Sequence, residues 1–213
     1  VLGGTLLGVV VIGSVILASK MNKLSSVKLD TDKLNISDEV KHEKGYTNVA
    51  LFGLDSREND LGKGNRSDTI IIASLNNDTK EVKLVSIYRD TLLELDDGSY
   101  NKANSAYSFG GPEGAVSLIN RNLDMNIEKY VTVNFNALVD VIDAVGGLDL
   151  ELTHDEVVHM NNYCVETSKV TGKSYEKIEP EVEGTYHLNG VQAVGILSSL
   201  YLSLIHISEP TRR

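Results

Sequence analysis

Three aspartate–arginine pairs between residues 55 and 90 are the groups in this sequence best suited to do chemistry. They are Asp55 with Arg57, Arg66 with Asp68, and Arg89 with Asp90. The planar guanidinium fork matches phosphate oxygens and stays charged at any working pH. Carboxylates beside a bound phosphate need a cation, and Mg²⁺ is typically held by one or two carboxylates together with phosphate oxygens. The pairs therefore predict a Mg²⁺-assisted phosphate or pyrophosphate site. The alternative is that they neutralise one another as surface salt bridges.

The elements around these pairs decide between the two interpretations. Residues 69–75 and 82–87 are short, β-branched runs typical of strands, and residues 76–80 between them have the composition of a hairpin turn. Residues 47–53 predict a third strand, which ends just before Asp55. An antiparallel hairpin places the start of its first strand beside the end of its second. All three pairs are then expected at one end of a sheet, which favours the functional interpretation.

Composition excludes several classes of protein. The chain has 213 residues, enough for one domain of good size, and a formal net charge of −10, which argues against a nucleic-acid-binding surface. Cys164 is the only cysteine, so no internal disulfide and no multi-cysteine metal site can form. The five histidines show no metal-ligand spacing.

The two ends of the chain differ in character from its middle. Val1–Ser19 contains no charge and is long enough to cross a bilayer, so it predicts an uncleaved transmembrane anchor, with a cleavable signal peptide as the alternative. Residues 20–46 are polar and predict a linker or stalk. The flanking lysines 20 and 23, taken alone, would place the rest of the chain in the cytoplasm. Residues 196–213 match neither strand nor helix patterns and are expected to be a non-native tail that follows an incomplete domain at 47–195.

The remaining sequence predicts a mixed α/β fold. Residues 102–111, with a glycine pair, are expected to form a loop, and residues 153–187 an irregular excursion or a loose helix. Strand 130–133, helix 135–145 and strand 148–152 are interpreted as a crossover unit with a partly parallel sheet. The other expected elements are a short strand at 91–95, a helix at 112–124, and a helix from residue 188 with Asn189 as its N-cap.

Several motifs together resemble the LytR–CpsA–Psr family over residues 47–194. They are Gly53-Leu54-Asp55-Ser56-Arg57, Arg66-Ser67-Asp68-Thr69, Ser86-Ile87-Tyr88-Arg89-Asp90, Lys102-Ala103-Asn104-Ser105-Ala106-Tyr107, Val145-Gly146-Gly147-Leu148-Asp149 and Leu188-Asn189-Gly190-Val191-Gln192-Ala193. The resemblance implies an α/β/α sandwich with a mixed central sheet, preceded by a transmembrane helix. It implies a Gram-positive membrane protein with its catalytic domain outside the cell, which overrides the weak orientation signal of the lysines.

The resemblance also implies an activity: transfer of a glycan phosphate, from teichoic acid, capsule or a similar polymer, from an undecaprenyl-pyrophosphate carrier to peptidoglycan. It implies Mg²⁺ ligands at Asp55 and Asp68. The other implied site residues are pyrophosphate-binding arginines at Arg57, Arg66 and Arg89, with Lys102 and Asn104 lining the site. Arg66 and Arg89 are expected to act in catalysis. Asp90 is a candidate base that could equally orient Arg89.

Two departures from the family pattern affect these expectations. Tyr88 stands where the family usually has proline, and residues 195–199 replace an Arg-x-Arg strand. The chain as given is therefore expected to be inactive or weakly active. The other functions considered are a non-catalytic prenyl-phosphate-binding protein, a regulator, for which the acidic composition offers no DNA-reading element, and a lipid-pyrophosphate pyrophosphatase.

Overall fold

The structure, a computed structural model, describes residues 27–40, 45–54, 56 and 61–197. The chain divides into two compact units, Val1–Asp30 and Thr31–Arg213, and all the elements below belong to the second. The predicted anchor Val1–Ser19 and the site residues Asp55 and Arg57 lie outside the described residues. None of the helices among the described residues combines the length and the apolar character needed to span a membrane.

The described residues form eight strands and three long helices. The strands are β1 (Tyr46–Leu54), β2 (Ser67–Asn76), β3 (Val82–Ile87), β4 (Leu92–Glu94), β5 (Tyr100–Lys102), β6 (Lys129–Val133), β7 (Leu148–Leu152) and β8 (Gly184–Leu188); the helices are α1 (Ala103–Leu123), α2 (Phe135–Ala144) and α3 (His154–Thr171). A short 3-10 turn covers Thr31–Lys33, and residues 190–197 are helical.

A four-stranded mixed sheet with the order β3-β2-β1-β6 forms the centre of the fold. The predicted hairpin is confirmed, because β2 and β3 pair antiparallel with Ile70 opposite Ile87. Strand β1, which the sequence predicted at residues 47–53, also pairs antiparallel with β2, and Phe52 lies opposite Ile70. The end of β1, the start of β2 and the end of β3 therefore share one end of the sheet, as expected from the sequence.

The predicted crossover unit is wrong in its pairing. Strand β6, helix α2 and strand β7 all form, but β7 pairs antiparallel with β8 in a separate two-stranded sheet. The parallel pair of the central sheet is instead β1 with β6, and β2, β3 and α1 lie between them in the chain. Alternation of apolar residues marked β7 as a strand, but such a pattern does not specify the partner strand.

The expected loop at 102–111 is helical over most of its length. Helix α1 begins at Ala103 and continues to a kink at Gly111, whose φ of +66° and ψ of −156° interrupt the helix. Pro112 then starts the second half, where its fixed φ and missing N–H are tolerated. Small residues and the glycine pair suggested a loop, but buried side chains such as Tyr107 make the first half a packed helix.

The expected irregular excursion at 153–187 contains the well-formed helix α3. Thr153 and Glu156 form a capping box, and the helix ends at Gly172 with a φ of +69°. One face of the helix is buried through Val157, Met160 and Cys164. The Thr-x-x-Glu signature and the terminal glycine were both visible in the sequence. Burial raises the pKa of the Cys164 thiol to about 12, so this cysteine is a core residue rather than a nucleophile.

We expect Thr153→Ala to lower the free energy of unfolding by about 1 kcal/mol at neutral pH, because it removes the N-cap of α3. Hydrogen bonds from Thr153 hold the pKa of Glu156 below its ordinary value of 4.5. The stabilisation from these hydrogen bonds to the carboxylate is fully present above the pKa that Glu156 has in the unfolded chain. It is lost as the pH falls through the lower pKa of the folded protein.

Urea unfolding at several pH values measures this cap. In the matched variant Glu156→Gln, the amide oxygen can still accept from Thr153, so the cap remains but its acid-dependent part is lost. The stability of this variant should lie slightly below that of the parent at pH 7 and approach it as the pH falls through the folded pKa of Glu156. A Thr153→Ala midpoint equal to that of the parent would contradict the assignment.

Candidate active site at the end of the central sheet

A chain of ion pairs joins four of the predicted site residues. Arg89 Nη1 lies 2.8 Å from Asp68 Oδ1, and Arg89 Nε lies 3.6 Å from Asp90 Oδ2. Lys102 Nζ lies 2.6 Å from Asp90 Oδ1. The order is Asp68, Arg89, Asp90 and Lys102, so negatively and positively charged side chains alternate. The structure thus brings Asp68 together with Arg89 and Asp90, as the predicted hairpin implied. Lys102, which the family resemblance implied as a residue lining the site, joins them through Asp90.

The ion pair with Lys102 determines the state of Asp90. Its hydrogen bond is the largest cause that lowers the pKa of the Asp90 carboxyl below its ordinary value, and Arg89 lowers it further. A carboxylate with a lowered pKa is a weak base, whereas a general base works best with a pKa near the working pH. The geometry therefore favours the second role considered for Asp90, which is to orient the Arg89 guanidinium.

Backbone hydrogen bonds fix the turn that carries Arg89 and Asp90. The N–H of Asn104 donates to the carbonyl of Arg89 at 3.0 Å, and the N–H of Ala103 donates to the carbonyl of Thr91 at 2.8 Å. Both donors belong to the first turn of α1, where N–H groups have no partner within the helix. Asn104, which the resemblance implied as a residue lining the site, contacts this turn through its backbone N–H, and its side chain is buried.

The other predicted residues are placed differently. Arg66 is exposed at the residue before β2 and is not part of the ion-pair chain. Ser67, which follows it, is fully buried, and its Oγ has no hydrogen-bond partner among the described residues. A β-bulge between Gly53 and Leu54 ends β1 at the same place. A Cβ on Gly53 would lie 3.0 Å from the Cβ of Thr69, so the close approach of β1 and β2 favours glycine there.

The donor set at this sheet end is compatible with Mg²⁺. The described contacts of Asp68 use Oδ1, which leaves Oδ2 available for a cation. Among the described residues, no three His, Cys, Asp or Glu side chains converge on a metal position. One or two carboxylates are sufficient for Mg²⁺ when phosphate oxygens complete the shell. Asp68 is thus the described residue that fits a metal ligand.

Two of the family motifs serve the fold rather than the site. Asn189 and Gln192 cap each other, since Asn189 Oδ1 accepts from the Gln192 N–H at 3.0 Å and Gln192 Oε1 accepts from the Asn189 N–H at 2.9 Å. The predicted N-cap is confirmed. Gly146 and Gly147 end α2 with φ of +93° and +94°, as a glycine C-cap does.

An open groove of about 340 Å³ has a lining that does not include the four residues of the ion-pair chain. It is lined by Lys33, Asn35, Lys63, Asp96, Gly110, Glu113, Gly114 and Arg121. Several of these charges face one another, with Lys33 Nζ 3.8 Å from Glu113 Oε1 and Arg121 Nε 4.0 Å from Asp96 Oδ1. Such exposed pairs are typical of a solvated surface.

The fold and the site define a mixed α/β protein with a chain of arginine–carboxylate pairs at one end of its central sheet. The chain belongs to the LytR_cpsA_psr family, whose sequence profile matches residues 10–197. This confirms the resemblance read from the motifs.

Known relatives agree with this assignment. The chain is 37% identical over 164 residues to the polyisoprenyl-teichoic acid–peptidoglycan teichoic acid transferase TagU of Bacillus cereus (strain AH820), covering 70% of this chain and 53% of that protein. It therefore spans about half the length of this relative. Its fold is similar to TagT bound to LI-WTA, with a TM-score of 0.59, 24% identity and coverage of 81% and 62%. It is also similar to TagT with bound octaprenyl pyrophosphate lipid, with a TM-score of 0.58, 22% identity and coverage of 84% and 72%.

Proposed function

We propose that this chain carries the pyrophosphate-binding part of a cell-wall glycopolymer transferase, which moves a glycan phosphate from an undecaprenyl-pyrophosphate carrier to peptidoglycan. The observation that carries the proposal is the pairing of Asp68, Arg89, Asp90 and Lys102 at one end of the sheet. The name of TagU, a teichoic acid transferase, and the lipid pyrophosphate bound to TagT support the same substrate class.

The reaction is an in-line displacement at phosphorus. A sugar hydroxyl of the acceptor attacks the phosphorus nearest the glycan, its proton is released, and the bond to the bridging oxygen breaks, so that prenyl phosphate leaves. Arg89 binds the non-bridging oxygens and stabilises the charge that develops on them. Asp90 and Lys102 hold Arg89 in the required orientation. Arg66, exposed at the same sheet end, supplies a second guanidinium, and Arg57 a third.

Asp68, together with Asp55, is the residue that would hold Mg²⁺. When bound there, the ion neutralises phosphate charge as a Lewis acid.

The protein is anchored by Val1–Ser19 with the catalytic domain on the extracellular face of a Gram-positive membrane, and the uncharged sequence of that stretch supports the anchor. The particular polymer, teichoic acid, capsule or another, is set by groups beyond the diphosphate.

We expect Asp68→Asn to raise sharply the Mg²⁺ concentration that prenyl-pyrophosphate binding requires. The amide is a much weaker cation ligand, so the Mg²⁺ needed for half-maximal binding should rise by more than the roughly 10- to 100-fold that loss of an outer-shell partner costs. The measurement is titration of the chain with a soluble short-chain prenyl pyrophosphate at graded Mg²⁺ concentrations and in EDTA.

Asp78→Asn is the matched control, because Asp78 lies in the turn between β2 and β3, at the opposite end of the sheet. Adding a prenyl-pyrophosphate-linked glycan and peptidoglycan oligomers then separates transfer from simple pyrophosphate hydrolysis, since only transfer requires the acceptor. Binding that is equally strong in EDTA, or absent in Mg²⁺, would contradict the proposal.

A further inference from the structure

Arg66 lies outside the ion-pair chain that orients Arg89, so some other contact must set its position. The segment 61–66 leads directly to it and into β2. Two hydrogen bonds fasten this segment to the first half of α1. The Tyr107 hydroxyl donates to the carbonyl of Leu61 at 2.9 Å, and the N–H of Gly64 donates to the carbonyl of Ser108 at 2.9 Å.

Tyr107 is itself rigidly held. Its side chain is fully buried, and its ring packs edge-on against Phe52 of β1 with the centroids 5.3 Å apart. Its hydroxyl also lies 3.0 Å from Thr132 Oγ1 of β6. A carbonyl can only accept, so the Tyr107 proton goes to Leu61 and Thr132 is the donor to the tyrosine oxygen. The hydroxyl thus connects segment 61–66 to the central sheet.

The same stretch of α1 holds the Arg89 turn from its other end. Ala103 and Asn104 donate their N–H groups to the carbonyls of Thr91 and Arg89 at 2.8 and 3.0 Å. Residues 103–108 therefore contact both arginine-bearing segments within two helical turns. A diphosphate gripped by two guanidiniums needs their separation to be fixed before it binds, because ordering them afterwards weakens the affinity.

We propose that Tyr107 is a positioning residue, whose hydroxyl fixes segment 61–66 and so sets the position of Arg66 relative to Arg89. This inference rests on the proposed diphosphate site. It adds to that site a buried residue that fixes the spacing of its arginines. Because Tyr107 is fully buried, its role does not require contact with substrate. It acts through the Leu61 carbonyl. The turn that carries Arg89 is held by other residues of the same helix, Ala103 and Asn104.

The test compares Tyr107→Phe with Thr132→Val. The first removes the bond to Leu61 and the bond to Thr132 but keeps the buried ring, whereas the second removes only the bond to Thr132. We expect both variants to fold, with a small loss of thermal stability that is greater for Tyr107→Phe because it removes two bonds. Only Tyr107→Phe should increase amide hydrogen exchange in residues 61–66 in the absence of ligand. Only this variant should also weaken Mg²⁺-dependent binding of a soluble prenyl pyrophosphate, by about tenfold, which is the effect of losing one charge-assisted hydrogen bond from Arg66 to a phosphate oxygen.

A double-mutant cycle with Arg66→Ala links the two readouts. If Tyr107 acts through Arg66, Tyr107→Phe should weaken binding no further in the Arg66→Ala background. Equal effects of Tyr107→Phe and Thr132→Val on binding, unchanged exchange of residues 61–66, or full additivity in the cycle would each overturn the inference. If Arg66→Ala, Asp68→Asn and Arg89→Ala all leave binding unchanged, the proposed pyrophosphate site fails and the inference fails with it. If Asp68→Asn and Arg89→Ala weaken binding but Arg66→Ala does not, the pyrophosphate site stands and the inference alone is overturned.

Discussion

Replacing Arg89 with alanine is expected to reduce prenyl-pyrophosphate turnover by about 10³-fold, the effect of removing an arginine that stabilises a phosphoryl-transfer transition state. Binding should weaken by roughly 10- to 100-fold, because a hydrogen bond to a charged group contributes about 1.5–3 kcal/mol. Arg89→Lys should fall between parent and alanine variant, since an ammonium keeps the charge but not the fork that reaches both Asp68 and Asp90.

The chain offers a closely matched control in Arg121→Ala. The Arg121 side chain is 31% exposed and contacts Glu94 and Asp96, while Arg89 is 32% exposed and contacts Asp68 and Asp90. The two variants should therefore lose similar, small amounts of stability, as half-exposed ion pairs do. Titration with a soluble prenyl pyrophosphate in Mg²⁺ measures the difference in function. Equal binding by the two variants would remove Arg89 from the site.

We expect Gly190→Ala to destabilise the fold by about 3 kcal/mol, the upper end of the range for an overpacked core. A Cβ there would lie 2.3 Å from the Val139 carbonyl oxygen and 2.9 Å from Asp143 Oδ1. The Gly190 N–H also donates to Asp143 Oδ1 at 2.7 Å, so a shift that relieves the clash would break this bond. Urea unfolding measures the loss.

Gly110→Ala is the control for that variant. A Cβ at Gly110 would meet no atom of the described part of the chain within 4 Å, and the residue is helical, so alanine should be neutral or stabilise by up to about 1 kcal/mol. If Gly190→Ala is as stable as Gly110→Ala, the close packing of residues 190–197 against α2 is not a determinant of stability.

Local patterns in the sequence predicted much of the site. The β-branched runs and the turn between them gave the β2–β3 hairpin, and hairpin geometry brought Asp68 close to Arg89. The contact between Lys102 and Asp90 depends on the path of the chain through β4 and β5, which spacing alone does not specify. Tyr107 stood in a recognised motif, but its role follows from burial and from its contact with Leu61, and neither is visible in one sequence.

The fold was less predictable where partners are distant in the chain. Apolar alternation identified β7, but its pairing with β8 instead of the central sheet depends on the core formed by α2, α3 and residues 190–197. The second half of α1 was predicted from Pro112 and apolar spacing, whereas the first half contains several Ser, Asn and Gly residues, which favour caps and turns over helix interiors. Tertiary burial determined that half.

The parallel pairing of β1 with β6 has a consequence for how the molecule assembles. The β2–β3 hairpin joins neighbouring segments, so its loop closes at low entropic cost and Asp68 can meet Arg89 early. Because β2, β3 and the whole of α1 lie between β1 and β6 in the chain, we expect this high-contact-order pairing to form more slowly than the hairpin. The Tyr107–Thr132 contact can form only then, so the charged residues are brought together before the framework that fixes their spacing is complete.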